Sequence, residues 1–245
     1  MKVAGAVALV TGANRGLGLA LVRALLEGGA RKVYAAARNP DAVKLPGVVR
    51  LKLDVTHDEE VVAAARAAGD VTLLVNNAGI ARPGGFLAEG AVDAAREQFE
   101  VNFMGPLRMA RAFAPVLASN GGGAIINVLS VASWMNGPRL ATYAASKSAA
   151  WALTNGLRIE LAPQGTQVLG LHAGFIDTDL ARSVQEPKSS PEAIVKVTLD
   201  ALERGAGQVL ADEISRKVHR GLSADPPVYF ASTSTLTPNA PLSAG

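Results

Sequence analysis

Residues 6–10 form a short, continuous apolar run that leads directly into Thr11-Gly12-Ala13-Asn14-Arg15-Gly16-Leu17-Gly18, and a helix-like segment follows at 17–26. No other stretch limits the possible folds as much. Gly12 permits a tight turn, Gly16 lets a backbone approach a pyrophosphate, and Gly18 lets a helix lie close on a sheet. A helix starting there turns free N–H groups and its positive dipole end toward the loop. Strand, glycine loop and helix in this order give the context of a dinucleotide fingerprint, as against a glycine-rich turn without a ligand. Gly12, Asn14, Arg15, Gly16, Leu17 and Gly18 are therefore candidate cofactor contacts.

The alternation continues along the chain. Strand-like runs at 32–37, 48–53, 71–75, 124–129, 166–171 and 208–210 are separated by helix-like segments at 59–68, 94–117, 141–161 and 191–202. Pro106 and Pro115 are expected to bend the 94–117 helix or mark its ends. Continuous apolar strands alternating with helices predict an α/β fold with a doubly wound, Rossmann-type parallel sheet of about seven strands, helices on both faces and right-handed crossovers. Abundant Ala, Val, Leu and Gly with few aromatics suit close helix-on-sheet packing. One domain over 1–222 accounts for the pattern, and from 223 to 245 the composition shifts to Ser, Thr, Pro and Ala, which reads as a disordered tail.

Several classes fall away. The net charge is only +3 with scattered basic residues, which gives no basis for nucleic-acid binding. With no cysteine there are no disulfides or thiolate metal sites. His57, His172 and His219 lack metal-ligand spacing, so no metal is expected. The apolar start breaks at Thr11-Gly12, before a secretory signal is complete, and no run approaches the ~20 residues of a membrane helix. A soluble cytoplasmic protein is expected. Gly121-Gly122-Gly123 precedes a strand and reads as a plain turn.

Two features carry chemistry. The second strand ends at Ala36-Ala37-Arg38, where an NAD site usually places a carboxylate for the ribose 2′-OH. Arg38 and Arg15 with no acid suit a 2′-phosphate, so NADP(H) is expected over NAD(H). Tyr143 and Lys147 are four apart, which stacks them on one helix face. An ammonium beside a phenol favours phenolate and is expected to lower the tyrosine pKa, tuning it as a general acid or base. Ser130 could add a hydroxyl donor to a substrate oxygen.

With these residues in place the chain resembles the short-chain dehydrogenase/reductase family over roughly residues 7–210. The resemblance rests on Thr11-Gly-x-x-x-Gly-x-Gly18, Leu53-Asp54-Val55, Asn76-Asn77-Ala78-Gly79, Asn102, Ser130 and Tyr143-x-x-x-Lys147. It implies that Asp54, with the Val55 backbone beside it, accepts from the adenine amino group. Asn77, Ala78 and Gly79 would line the adenine-ribose side, and Asn76 would clamp strands. It further implies that Tyr143 is the general acid in reduction and that Lys147 lowers its pKa and binds the nicotinamide ribose. Ser130 would polarise the substrate carbonyl, and Asn102 would hold a water in a proton relay. Ile176 and Thr178 match the segment that holds the nicotinamide carboxamide. The family's usual Pro-Gly after the sixth strand is Ala173-Gly174 here, and the continuation after residue 210 is unlike the usual one.

The expected activity is that of an NADPH-dependent carbonyl reductase, reversibly an alcohol dehydrogenase. A redox-sensing protein that binds NADP(H) without turnover would need the glycine loop but not Ser130, Asn102, Tyr143 and Lys147 together. A sugar-nucleotide epimerase would need a different glycine spacing and a larger C-terminal domain. Segments 80–86, 131–137 and 175–188 are expected to form the substrate pocket, with Trp134, Met135 and Phe175 as wall or core residues. The lid between residues 178 and 191 is short, which suits an open site. The helices at 94–117 and 141–161 carry more small and apolar residues than one sheet face buries. By the resemblance they would pair in a homodimer or homotetramer.

Overall fold

The computed structural model describes residues 1–182 and 184–230. Among these, β1 (Val7–Thr11), β2 (Lys32–Ala37), β3 (Val49–Lys52), β4 (Leu73–Asn76), β5 (Ala124–Val128), β6 (Gln167–His172) and β7 (Gln208–Leu210) form one seven-stranded sheet. Every pairing is parallel, in the order β3-β2-β1-β4-β5-β6-β7. The order reverses between β1 and β4, so the crevice outside their C-terminal ends is the topological switch point.

The pleat explains why the strands read as unbroken apolar runs. Along β1, Ala8 and Val10 join one core cluster, while Val7 and Leu9 join the other. Successive residues face opposite sides, and both sides are covered. The first face packs against α1 (Gly16–Glu27) through Leu21 and Leu25, and against α6 (Pro191–Glu203) through Ile194 and Leu202. The second face packs against α2 (Asp58–Ala67), α4 (Gly105–Ser119) and α5 (Ala141–Glu160), with Val61, Met109, Phe113 and Leu157 inserted. Each such side chain contributes about 1.5–3 kcal/mol by leaving water.

The expected single helix at 94–117 has three parts. Helix α3 (Ala91–Phe99) runs into a π turn at Glu100–Met104, and α4 continues from Gly105. Gly105 N–H reaches back five residues to Glu100 O. Pro106 has no N–H to offer the carbonyl of Asn102 four residues back, so the α ladder cannot close there. Pro106 thus marks the junction, and Pro115 lies inside α4 without ending it.

A further helix, α7 (Glu213–Gly221), was not anticipated. Asp212 caps it, accepting from Ser215 N–H at 2.8 Å, while the Ser215 hydroxyl faces the Asp212 backbone. The glycine run at 121–123 is a turn. All three residues have positive φ, and a Cβ on Gly123 would lie 2.2 Å from Thr72 O. Of the expected tail, Val228–Phe230 form a 3₁₀ turn, and 231–245 lie outside the described residues.

Candidate active site

The glycine loop leaves β1 at the switch point and is tied to the end of β4. Thr11 Oγ1 accepts from the N–H groups of Asn77 and Ala78, both at 3.0 Å. The Asn77 side-chain amide donates to Thr11 O at 2.8 Å and to Gly12 O at 3.3 Å. Gly12 and Gly16 have φ of 65° and 53°, in the left-handed region that favours glycine. A Cβ on Gly18 would lie 2.2 Å from Gly12 O, so only glycine lets α1 start this close. Arg15 is the N-cap of α1, and among the described residues no side chain caps the first turn. The loop is therefore a compact cradle with free helix N–H groups, which fits a pyrophosphate. Leu17 is buried in the core and can serve the loop only through its backbone, whereas Asn14 is half-buried at its rim.

Arg38 is exposed just beyond β2. Asp54 follows β3, and its Oδ1 accepts from Thr56 N–H and hydroxyl at 3.0 and 2.8 Å. Burial works to raise its pKa, but the two Thr56 bonds with His57 and Arg38 hold it below the ordinary carboxylate value. Val55 is buried under α4. Arg15 is not the free cation the sequence suggests: its guanidinium meets Asp179 at 3.3 Å, and Asp179 also pairs with Arg182. Thr178 sits over the loop, with its Cγ2 3.2 Å from where a Gly16 Cβ would be. Ile176 bridges Ser189 and closes the base of a short lid, across which Arg139 meets Glu186 at 2.6 Å.

Ser130, Tyr143, Lys147 and Asn102 come from three different elements and converge. Ser130 follows β5, and its hydroxyl accepts from Ala132 N–H at 3.1 Å. Tyr143 and Lys147 lie in the first half of α5. Asn102 sits in the π turn, almost wholly buried. Its amide donates to Ile80 O and Ser146 Oγ and accepts from Ile80 N–H, all at 2.9 Å. Ser146 in turn donates to Tyr143 O at 2.7 Å. A Cβ on Gly79 would lie 3.2 Å from Asn102 Oδ1 and 3.8 Å from Lys147 Nζ, so this glycine keeps the space between them open.

The electrostatics correct one expectation. Burial pushes the Tyr143 phenol up to about 12, and the hydrogen bond with Ser130 only partly offsets it. Lys147 does not depress it here. Its Nζ donates to Val128 O at 2.8 Å and lies 5.8 Å from the centre of the Tyr143 ring. Burial lowers Lys147 itself to about 8, because its ammonium has a carbonyl rather than a carboxylate for company.

Sequence reasoning missed several supports. Ser146 occupies the buried face between Tyr143 and Lys147, which a polar residue at that spacing could have signalled. The Val128 carbonyl and Asp179 carry no sequence signal. Asn76 does clamp strands, donating to Asn127 Oδ1 at 2.9 Å, with Asn127 donating to Thr154 Oγ1 at 3.0 Å. Trp134 turns behind Ser130 and stacks on His172, ring centres 3.8 Å apart. Among the described residues there is no group of three His, Asp or Glu arranged to hold a metal. None of the described helices is long and apolar enough to cross a membrane.

A parallel sheet with a glycine loop at its switch point defines a dinucleotide-binding protein. Residues 6–189 match the family described as short chain dehydrogenase. A short chain dehydrogenase from Burkholderia cenocepacia, solved with NADP, is 46% identical, with a TM-score of 0.89 over 92% of this chain and 96% of that one. A family member from Burkholderia phymatum, solved with NAD, is 26% identical, with a TM-score of 0.83 over 100% of both chains. The pig protein carbonyl reductase [NADPH] 2 is 34% identical over 206 residues, 80% of this chain and 81% of its own length. This chain belongs to the short-chain dehydrogenase family and is an oxidoreductase with that family's NAD(P)-type nucleotide fold.

His172 gives the site a pH signature in stability. Burial lowers it from 6.5 to about 4. The Ser130 carbonyl pulls the other way, and His219, Arg158 and Lys147 add to the lowering. The unfolded chain binds this proton more readily, so the neutral ring stabilises fully above pH 6.5 and the effect is lost toward pH 4. The loss is on the order of 3 kcal/mol. Replacing His172 by Asn should flatten the fall of Tm between pH 6.5 and 4 relative to wild type. Parallel Tm curves would show that the ring has the same pKa folded as unfolded.

Proposed function

We propose that the chain is an NADPH-dependent carbonyl reductase, reversibly an alcohol dehydrogenase, acting on a ketone or aldehyde. The convergence of Ser130, Tyr143, Lys147 and Asn102 beside the glycine loop carries this reading. The bound nicotinamide would supply the hydride. Tyr143 and Ser130 aim their hydroxyls at the substrate oxygen, where negative charge develops, and Tyr143 gives up its proton there. A phenol held neutral by burial is in the protonation state a reduction needs. Lys147 holds positive charge near the phenolate that results and reaches the nicotinamide ribose. Asn102 fixes the segment at Ile80 and, with Ser146, the start of α5. The space beside Gly79 would hold the water that returns a proton to Lys147.

NADP(H) rather than NAD(H) is supported by Arg38 and by the absence of a carboxylate at the end of β2. Gly12, Asn14, Arg15, Gly16, Leu17 and Gly18 would hold the pyrophosphate, with Arg15 and Arg38 at the 2′-phosphate. Asp54, Val55, Asn77, Ala78 and Gly79 would face the adenine side, and Ile176 and Thr178 the carboxamide. Of the relatives, the Burkholderia cenocepacia protein was solved with NADP, and the pig protein carries NADPH in its name. A homodimer or homotetramer is supported by an apolar groove along α4 and α5, lined by Phe103, Leu107, Ala114, Ala149 and Leu153. A cytoplasmic setting suits a chain without cysteine.

Three measurements test this. NADPH oxidation is followed with 2,3-butanedione, ethyl acetoacetate and 4-nitrobenzaldehyde. Tyr143→Phe should lose at least about a hundredfold in kcat. Equal rates for variant and wild type would refute the assignment, and silence of the wild type with tight NADPH binding would favour a sensor. Arg38→Asp should shift the kcat/KM ratio toward NADH by about tenfold or more, and a wild-type preference for NADH would overturn the cofactor assignment. Sedimentation should give a dimer or larger, with Leu153→Glu dissociating it; a wild-type monomer would remove the assembly.

A further inference from the structure

We propose that His172 is a positioning residue for Ser130: its Nδ1–H holds the Ser130 carbonyl, and so fixes where the Ser130 hydroxyl points. The proposal rests on the reading of Ser130 as the donor to the substrate oxygen.

Ser130 stands where β5 has ended. The ladder to β6 continues on either side of it, with Leu129 N–H donating to Leu171 O at 2.8 Å and Val131 N–H to Ala173 O at 2.9 Å. Ser130's own carbonyl accepts from Ser133 N–H at 3.0 Å and also faces the side chain of His172, whose Nδ1 is 3.2 Å away. A carbonyl only accepts, so this contact requires the proton on Nδ1. The neutral ring then has an unprotonated Nε2, and Nε2 is buried with no hydrogen-bond partner among the described residues. With the proton on Nε2 instead, a buried N–H would lack an acceptor and the Nδ1 lone pair would face the carbonyl oxygen. Both observations select the same tautomer.

The ring cannot swing away from this contact. Trp134 lies flat on it, with centres 3.8 Å apart and planes 17° from parallel. The edge of Trp151 meets Trp134 from α5, and His219 meets it from α7. His172 itself is 1% exposed. The Ser130 carbonyl is thus held by a ring that β6 carries and an indole covers. A hydroxyl in a catalytic position tolerates little displacement, and a shift of about 1 Å can cost a hundredfold in rate.

The test uses the full chain, NADPH and 2,3-butanedione. Ser130→Ala is measured first. If it leaves kcat unchanged, the reading of Ser130 fails and takes the positioning role with it. If it lowers kcat, the His172 variants decide. Asn places its side-chain N–H where Nδ1–H stood, Gln places it farther out, and Leu has none. The proposal expects His172→Leu and His172→Gln to lose about tenfold to a hundredfold in kcat with the KM for NADPH unchanged. His172→Asn should stay within about threefold of wild type. Equal losses in Asn, Gln and Leu would assign the effect to packing and overturn the proposal, as would wild-type kcat in Leu. Nitrogen NMR of imidazole-labelled wild type gives a reading independent of how the variants fold. The signal missing from His172→Asn should report the Nδ1–H tautomer, and an Nε2–H signal overturns the assignment.

Discussion

A sheet of parallel strands buried on both faces has almost nowhere to put a polar side chain except where its strands stop. Val7 to Val10 are all wholly buried, as are Leu73 to Val75 and Ala124 to Ile126. Polar groups therefore gather along the C-terminal edge: Thr11 at the end of β1, Asn76 and Asn77 at β4, Asn127 and Ser130 at β5, His172 at β6. Most are answered within the edge itself, since an unmet buried group costs about 1–3 kcal/mol, and Asn76 Oδ1 and His172 Nε2 are the exceptions among the polar atoms of these side chains in the described residues. Asn76 bonds Asn127, Asn127 bonds Thr154, and Thr11 bonds the backbone of Asn77 and Ala78. These links lock the edge into one arrangement, and the glycine loop and Ser130 inherit their positions from it.

The other half of the site is set by a helix that departs from the α pattern. The π turn turns Asn102 inward, where it holds both backbone groups of Ile80 and the hydroxyl of Ser146. An ordinary α ladder would rotate that residue relative to α3 or α4. Lys147 reaches across from α5 to the carbonyl of Val128, so the strand end and the helix that carries Tyr143 are tied by a buried ammonium. The side chains of this site are thus braced from the strand edge, from α5 and from the π turn.

Much of this was legible in the sequence because apolar periodicity and glycine placement are local signals. The continuous runs at 6–10 and 124–129 could hardly be anything but buried strands, and Gly12, Gly16 and Gly18 mark positions that reject a Cβ. The π turn was not legible, since Pro106 announces a disturbance without saying which kind. Helix α7 was missed because Val218 is its one buried apolar residue, while Ile214 is exposed, and its capping by Asp212 and Ser215 is a weak signal alone. The sign of the Tyr143 shift failed for a different reason. Spacing brings Lys147 near the phenol, but burial, which sequence does not report, outweighs proximity. Trp134 and His172 are 38 residues apart, and nothing local says that they stack.

The lid has a different standing from everything around it. It is closed at its base by the Ile176–Ser189 bridge, and its outer contacts run to Arg139 and, through Asp179, to Arg15. Among the described residues of 177–188, none gives a hydrogen bond to Ser130, Lys147 or Asn102. The segment is in effect a replaceable part mounted on a fixed tool. On the proposed reading, changes beyond Thr178 would redraw what the cleft admits while Ser130, Lys147 and Asn102 keep their bonds, so variety of substrate and constancy of chemistry would sit on separate pieces of the chain.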